Sequence, residues 1–187
     1  MRVLLGEDET LIRLDLRGML EAAGFEVCAE AGDGQEAVEL ARTERPDLAV
    51  LDVKMPKLDG IETARRILDE RPIPIVIVSA YTEASLVERA AEAGVFGYLA
   101  KPFREEDLLP AIATARARFG ELTAVREQVD TLADALAARK AIERAKGILM
   151  AKQSLTEEAA FARLRKASQS SGRPMRVIAE AIIETFS

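Results

Sequence analysis

Two runs of four residues, Leu48-Ala49-Val50-Leu51 and Ile75-Val76-Ile77-Val78, contain no polar side chain. A strand with one face in water alternates polar and apolar residues, so a strand without alternation needs cover on both faces. Helices supply that cover on a parallel sheet, whose strands require long crossover connections in any case. The remainder of residues 1–103 fits the same plan. Val3-Leu4-Leu5, Phe25-Glu26-Val27-Cys28 and Phe96-Gly97-Tyr98-Leu99 read as three further strands. Apolar residues recur between them at helical spacing, as at Leu11, Leu14 and Leu20 and at Ile61, Ala64, Ile67 and Leu68. The expected fold class is therefore α/β, a five-stranded, doubly wound (βα)5 parallel sheet. Thr10, Asp33 and Asp59 are expected as helix caps, and Cys28 as an ordinary buried strand residue.

Strand signals stop before Leu108. Leu108, Ile112, Ala115, Phe119, Leu122, Val125, Val129, Leu132 and Leu136 then step by three or four residues, a heptad-like seam with one residue missing near Gly120. One long coiled-coil-like helix is predicted, with Pro110 near its start, and it is expected to join the two parts of the chain rigidly. Three shorter helices should follow: residues 139–152, a second opening at Ser154 or Thr156, and a third after Gly172-Arg173-Pro174. The expected boundaries are 1–118 for the sheet domain, 119–138 for the helical linker and 139–187 for a small three-helix module. No internal repeat or low-complexity linker separates them.

Charge divides along the same line. Residues 1–120 hold 15 basic and 23 acidic side chains, net −8, whereas residues 121–187 hold 11 and 9, net +2. Within 139–176 the balance is 10 basic against 3 acidic, which points to an anionic partner. Zero histidines exclude His-ligated metals and His-dependent catalysis, and one cysteine excludes an internal disulfide. No apolar run approaches the ~18 residues of a membrane span, and the N-terminus lacks the apolar region and cleavage site of a signal peptide. The chain is expected to begin at Met1 and to remain in the cytoplasm, away from membranes.

Chemistry on a parallel sheet is sought beyond the carboxyl ends of its strands. Glu7 and Asp8 follow the first strand, Asp52 the third, Ser79 the fourth and Lys101 the fifth. Three carboxylates without histidine or thiolate suit a hard ion such as Mg²⁺. Mutual repulsion among them calls for that cation and for the Lys101 ammonium, and with both present one carboxylate becomes a candidate nucleophile.

The segments LLGEDE, LDVKMP, VSA and LAKPF, in that order and spacing, resemble the receiver domain of two-component response regulators, whose fold is flavodoxin-like. The resemblance covers residues 1 to about 118. It implies that Asp52 accepts a phosphoryl group from a sensor histidine kinase. It further implies that Glu7, Asp8, Asp52 and the main-chain carbonyl of Lys54 hold Mg²⁺, and that Ser79 and Lys101 bind phosphoryl oxygens. Tyr98 resembles the family's aromatic switch, acting with Ser79. Phosphoryl transfer needs positioning and charge neutralisation, and the partner supplies the histidine. Lys54 departs from the neutral residue expected two positions after the acceptor, and its ammonium there is expected to slow or tune dephosphorylation.

Two modules fit the helical tail: a DNA-binding helix-turn-helix unit and the RNA-binding ANTAR module of transcription antiterminators. The only glycine between Val125 and Met150 is Gly147, in strongly helical surroundings, which disfavours a helix-turn-helix. ARKAIERAKGILMAKQSLTEEAAFARLRKAS followed by RPMRVIAEAII resembles the ANTAR pattern. Ile142, Ala145, Leu149 and Met150 make an apolar face. Arg139, Lys140, Arg144, Lys146, Arg163, Arg165, Lys166, Arg173 and Arg176 are the candidate RNA-binding residues. Phe161 and Phe186 fit core positions, leaving arginine to stack on bases. The resulting expectation is a signalling protein and not an enzyme. Phosphorylation at Asp52 would promote a homodimer that binds an RNA hairpin of a nascent transcript and prevents termination. A DNA-binding output and a tail serving only dimerisation are the alternatives.

Overall fold

The structure, a computed structural model, describes residues 1–81 and 83–186. Five strands, β1 (Arg2–Gly6), β2 (Glu26–Ala31), β3 (Leu48–Asp52), β4 (Ile75–Ser79) and β5 (Gly97–Ala100), alternate with α1 (Thr10–Ala22), α2 (Gly34–Glu44), α3 (Gly60–Glu70) and α4 (Ala84–Glu92). The helices α5 (Glu105–Gln153), α6 (Glu157–Ser171) and α7 (Met175–Phe186) follow. All strand pairs are parallel, in the order β2-β1-β3-β4-β5. The chain adds strands on one side of β1 and then on the other, so the order reverses between β1 and β3 and opens a crevice beyond their carboxyl ends.

Every residue of β3 and β4 is buried, as their unbroken apolar runs predict. Strand alternation divides the core into two layers. Val3, Leu5, Leu48, Val50, Val76 and Val78 pack with Leu16 and Leu20 of α1 and Leu108, Ile112 and Ala115 of α5. Leu4, Ala49, Leu51, Ile75 and Ile77 pack with Val38 of α2, Ile61, Ala64 and Ile67 of α3 and Ala90 of α4. Each fully buried large aliphatic contributes roughly 1.5–3 kcal/mol relative to exposure, which makes these layers the main support of the sheet.

Several expectations change. Leu11 and Leu14 face solvent, 82% and 55% exposed, while Ile12, Leu16, Met19 and Leu20 form the inner face of α1. Leu11 and Leu14 lie about 140° and 200° around the helix from Leu16. Thr10 is the first residue of α1 and Glu9 its cap position, without a side-chain bond. Asp33 and Asp59 do cap, accepting from the amides of Glu36 at 2.9 Å and Glu62 at 2.8 Å. Cys28 is half-buried, with its Sγ 3.4 Å from the carbonyl oxygen of Val3, and burial pushes its thiol pKa up.

Residues 139–152 do not form a separate helix; they complete α5, because Ala137-Ala138-Arg139-Lys140-Ala141 contains strong helix formers and no cap or breaker. Pro110 lies beyond the first turn, leaving the carbonyl of Glu106 without its helical donor. Thr156 caps α6 through Ala159 N at 3.2 Å, whereas Ser154 occupies the left-handed region at φ 53°. The chain divides into compact units at Met1–Thr123 and Ala124–Ser187. This division falls inside α5, after the residue 118 boundary expected from sequence. In the second unit Ala145, Leu149, Ala160, Leu164 and Ala179 form a small core, with Ile142, Ile178 and Ile182 against it. Met150, expected on that face, is 39% exposed because Ala145 and Leu149 fix the buried side of the helix. No described helix is long and apolar enough to cross a membrane.

Candidate functional site

The crevice collects the polar residues that end the strands. Glu7 directly follows β1, Asp52 and Ser79 are the last residues of β3 and β4, and Lys101 follows β5. Glu7, Asp52 and Ser79 are buried, whereas Asp8 is exposed. Carboxylate oxygens of Glu7, Asp8 and Asp52 lie within 4.8 Å of one another. Lys101 Nζ bridges two of them, at 2.6 Å from Glu7 Oε2 and 2.8 Å from Asp52 Oδ1. The second Asp52 oxygen, Oδ2, accepts from the Lys54 amide at 2.6 Å. Asp52 is thus held at both oxygens. The Lys101 amide donates to the carbonyl of Ser79 at 2.7 Å, tying the lysine loop to β4, and the Lys101–Pro102 peptide is cis.

Burial holds the Glu7 carboxyl above the usual carboxylate range, against the pull of the Lys101 hydrogen bond, and the Asp52 charge pushes the same way as burial. Burial works against the Lys101 ammonium, but its bonds to Asp52 and Glu7 outweigh this and raise its pKa. One ammonium faces three carboxylates. The remaining negative charge and the all-oxygen donor set fit a hard divalent cation, and the exposed Asp8 leaves that ion room to retain water.

A cavity of about 570 Å³ opens over this cluster, lined among others by Asp8, Asp52, Lys54, Ser79, Tyr81 and Lys101. Tyr81 was not anticipated. Its amide donates to Ser79 Oγ at 3.0 Å, its carbonyl accepts from the Tyr98 hydroxyl, and its phenol is hydrogen-bonded to Lys54 Nζ. That ammonium also lies 4.1 Å from the centre of the Tyr81 ring. Tyr81 therefore joins both candidate switch residues, Ser79 and Tyr98, to the loop after Asp52. Its position two residues beyond Ser79 was the available signal, but an aromatic in a loop does not specify these bonds. Gly60 was likewise not anticipated. A Cβ there would stand 1.8 Å from the carbonyl oxygen of Asp52, so glycine lets α3 approach the back of that residue.

The nine candidate RNA-binding residues of the second unit separate into two groups. Lys146 is buried and binds Glu143 at 3.0 Å and Glu157 at 2.6 Å, so its charge is engaged between α5 and α6. Arg176 pairs with Asp134 at 3.1 Å and Glu180 at 2.7 Å. Arg139, Lys140, Arg144, Arg163, Arg165, Lys166 and Arg173 are exposed and form no ion pair among the described residues. Phe161 and Phe186, expected in the core, are 41% and 43% exposed, because alanine, leucine and isoleucine already close it.

A doubly wound five-stranded sheet bearing this acidic crevice and its lysine defines a receiver. The family model of the response regulator receiver domain matches residues 3–113, and that of the ANTAR domain matches residues 130–183. The chain belongs to the response regulators, with a receiver followed by an ANTAR domain. It is 50% identical over 185 residues to the transcriptional regulatory protein PdtaR of Mycobacterium tuberculosis, covering 99% of this chain and 90% of that protein. The signal receiver domain of NarL from the same species superposes with a TM-score of 0.58 at 33% identity, covering 60% of this chain and 92% of that one. CheY in the CheX-CheY-BeF3-Mg complex of Borrelia burgdorferi gives 0.58 at 26% identity, over 60% and 86%.

Proposed function

We propose that this response regulator receives a phosphoryl group from a sensor histidine kinase on Asp52 and, in that state, binds an RNA hairpin of a nascent transcript to promote antitermination. The observation that carries the reading is the joining of two chemistries in one chain: a buried carboxylate beside Lys101, and an ANTAR-matching segment with eight exposed cations that form no ion pair among the described residues. We assign residues 1–118 to the receiver, 119–138 to the linker carrying the seam, and 139–187 to the output.

In the transfer step an Asp52 carboxylate oxygen forms a bond to phosphorus as the phosphorus–nitrogen bond to the kinase imidazole breaks, and the imidazole leaves with that electron pair. Lys101 offers its ammonium to the phosphoryl oxygens, and Ser79 offers its hydroxyl. Ser79 must release the Tyr81 amide to reach them, which couples phosphorylation to the Tyr98 contact. Glu7, Asp8, Asp52 and the Lys54 carbonyl would hold Mg²⁺, which when bound neutralises charge on the transferring group. Exposed apolar residues along α5 then support pairing of two chains on phosphorylation.

Asp52→Asn is expected to abolish Mg²⁺-dependent labelling, since an amide lacks the nucleophilic oxygen; full labelling of that variant removes Asp52 from the role. For the output, the phosphorylated chain is expected to prefer an RNA hairpin with an exposed loop over the same sequence as duplex DNA. The loop displays unstacked base edges that a duplex conceals. Preference for DNA transfers the output to the DNA-binding class, and failure to bind either polymer leaves a dimerisation tail.

A further inference from the structure

We infer that Phe161 is a stacking platform for an unpaired base of the bound RNA, with Arg165 and Arg173 gripping the adjoining phosphates. This inference rests on the RNA-binding reading and names the residue that distinguishes base recognition from charge attraction. One exposed apolar side chain is ordinary on a protein surface, so its setting must supply the case.

Phe161 and Phe186 are the two aromatic residues of the unit, and the unit closes its core without Phe161: Ala145, Leu149, Ala160, Leu164 and Ala179 are at most 2% exposed beside a phenyl ring left 41% exposed. On α6, residues four apart share a face. Glu157, Phe161 and Arg165 are therefore successive members of one row, and Ser168 continues it. The acid of that row is engaged, since Glu157 Oε1 lies 2.6 Å from Lys146 Nζ, an ammonium it shares with Glu143. Arg165 forms no ion pair among the described residues, so its guanidinium stands available one turn beyond the ring.

Ser168 extends the patch beyond α6. Its hydroxyl donates to the carbonyl of Arg173 at 2.6 Å, which fastens the α6–α7 turn against the end of the row. The exposed Arg173 therefore originates beside the same face. A ring and two guanidinium groups without an ion-pair partner among the described residues, beside a carboxylate drawn to an ammonium, make a surface for a flat π-system attached to anions. Single-stranded RNA has that chemistry, because its bases splay outward while its phosphates remain in line. A duplex, whose bases are stacked inside, would leave the ring unused.

The test uses the full-length phosphorylated chain and an RNA hairpin selected by it from a loop-randomised pool, with 2-aminopurine placed at successive loop positions. Phe161→Leu preserves apolarity and removes the ring. It is expected to weaken hairpin binding roughly 5- to 150-fold, the range for loss of one base–aromatic stack. The dependence of log affinity on log salt should be unchanged, since no cation is lost. Quenching at one loop position should disappear with the ring, and Phe161→Trp should restore both affinity and quenching. Arg165→Gln should instead shallow the salt dependence by about 0.7. Wild-type affinity and quenching in Phe161→Leu overturn the inference while leaving RNA binding intact. Failure of tryptophan to rescue overturns it too, by marking a packing defect. Retention of no hairpin by the wild type overturns the RNA reading itself.

Discussion

At the scale of single residues, Asp52, the proposed acceptor, is defined by what stands behind it as much as by what faces it. Gly60 donates its amide to the carbonyl of Val53 at 2.9 Å and presses against the Asp52 carbonyl. Backbone cannot yield there as a side-chain tip would, so Gly60→Ala is expected to cost about 1–3 kcal/mol as an overpacking change. It should also slow labelling of Asp52; denaturant unfolding and labelling kinetics check the two effects, and wild-type values of both would show the α3 approach to be dispensable. In front, the Lys54 ammonium and the Tyr81 ring stand at the cavity over Asp52. Excluding water protects a hydrolysable acyl phosphate. Tyr81→Ala is thus expected to shorten the lifetime of the label at fixed Mg²⁺, and an unchanged decay rate removes the pair from that role. The carboxylates and Lys101 were legible because each ends an apolar run, and strand polarity in a parallel sheet brings such ends together. Tyr81 and the close approach at Gly60 were not, since both depend on loop paths that periodicity does not encode.

Among the elements, α1 and α5 show where pattern reading stops. Leu11 and Leu14 matched a helical spacing, but spacing alone does not select the buried face; Leu16 and Leu20 do so through the layer formed with α5. In α5 the seam identified a long helix, yet its end was not legible, because the helix carries Pro110, Gly120 and Gly147 within it and stops only at Gln153. Lys146 illustrates the same limit for charge. Its pairing with Glu143 lies within one helix turn, but that with Glu157 exists only after α6 folds back, converting a candidate RNA contact into a clamp. The clamp has a pH signature. The hydrogen bond from Lys146 holds Glu157 below the usual glutamate value of 4.5, so the folded state binds the proton less readily than the unfolded state. Its stabilisation is present above pH 4.5 and is lost as pH falls through the lower folded value. The melting temperature of Glu157→Gln should therefore lie below that of the wild type at neutral pH and converge with it in acid. A difference independent of pH would assign the effect to packing.

For the whole molecule, the unresolved demand is the seam. Val125, Val129, Leu132 and Leu136 are 55%, 58%, 70% and 54% exposed, a stripe at three- and four-residue spacing along α5. Scattered apolar residues on a surface are ordinary, but a continuous helical stripe marks a face that another element covers. A second copy offers a matching seam at no cost in new sequence, since a two-fold pair sets the same residues against themselves. If phosphorylation of Asp52 governs access to that face, the unphosphorylated chain should sediment mostly as a monomer and the phosphorylated chain as a dimer. Val129→Asp with Leu132→Asp should leave labelling of Asp52 intact, because the crevice residues all belong to the unit Met1–Thr123 and both substitutions fall in the other, yet keep the labelled chain monomeric by placing charges in the seam. RNA affinity would then fall towards that of one basic unit, since linking two weak sites raises avidity without new contacts. An identical dimer before and after labelling contradicts the switch while leaving the fold and the acceptor untouched. A dimer that survives both aspartates relocates the interface away from α5.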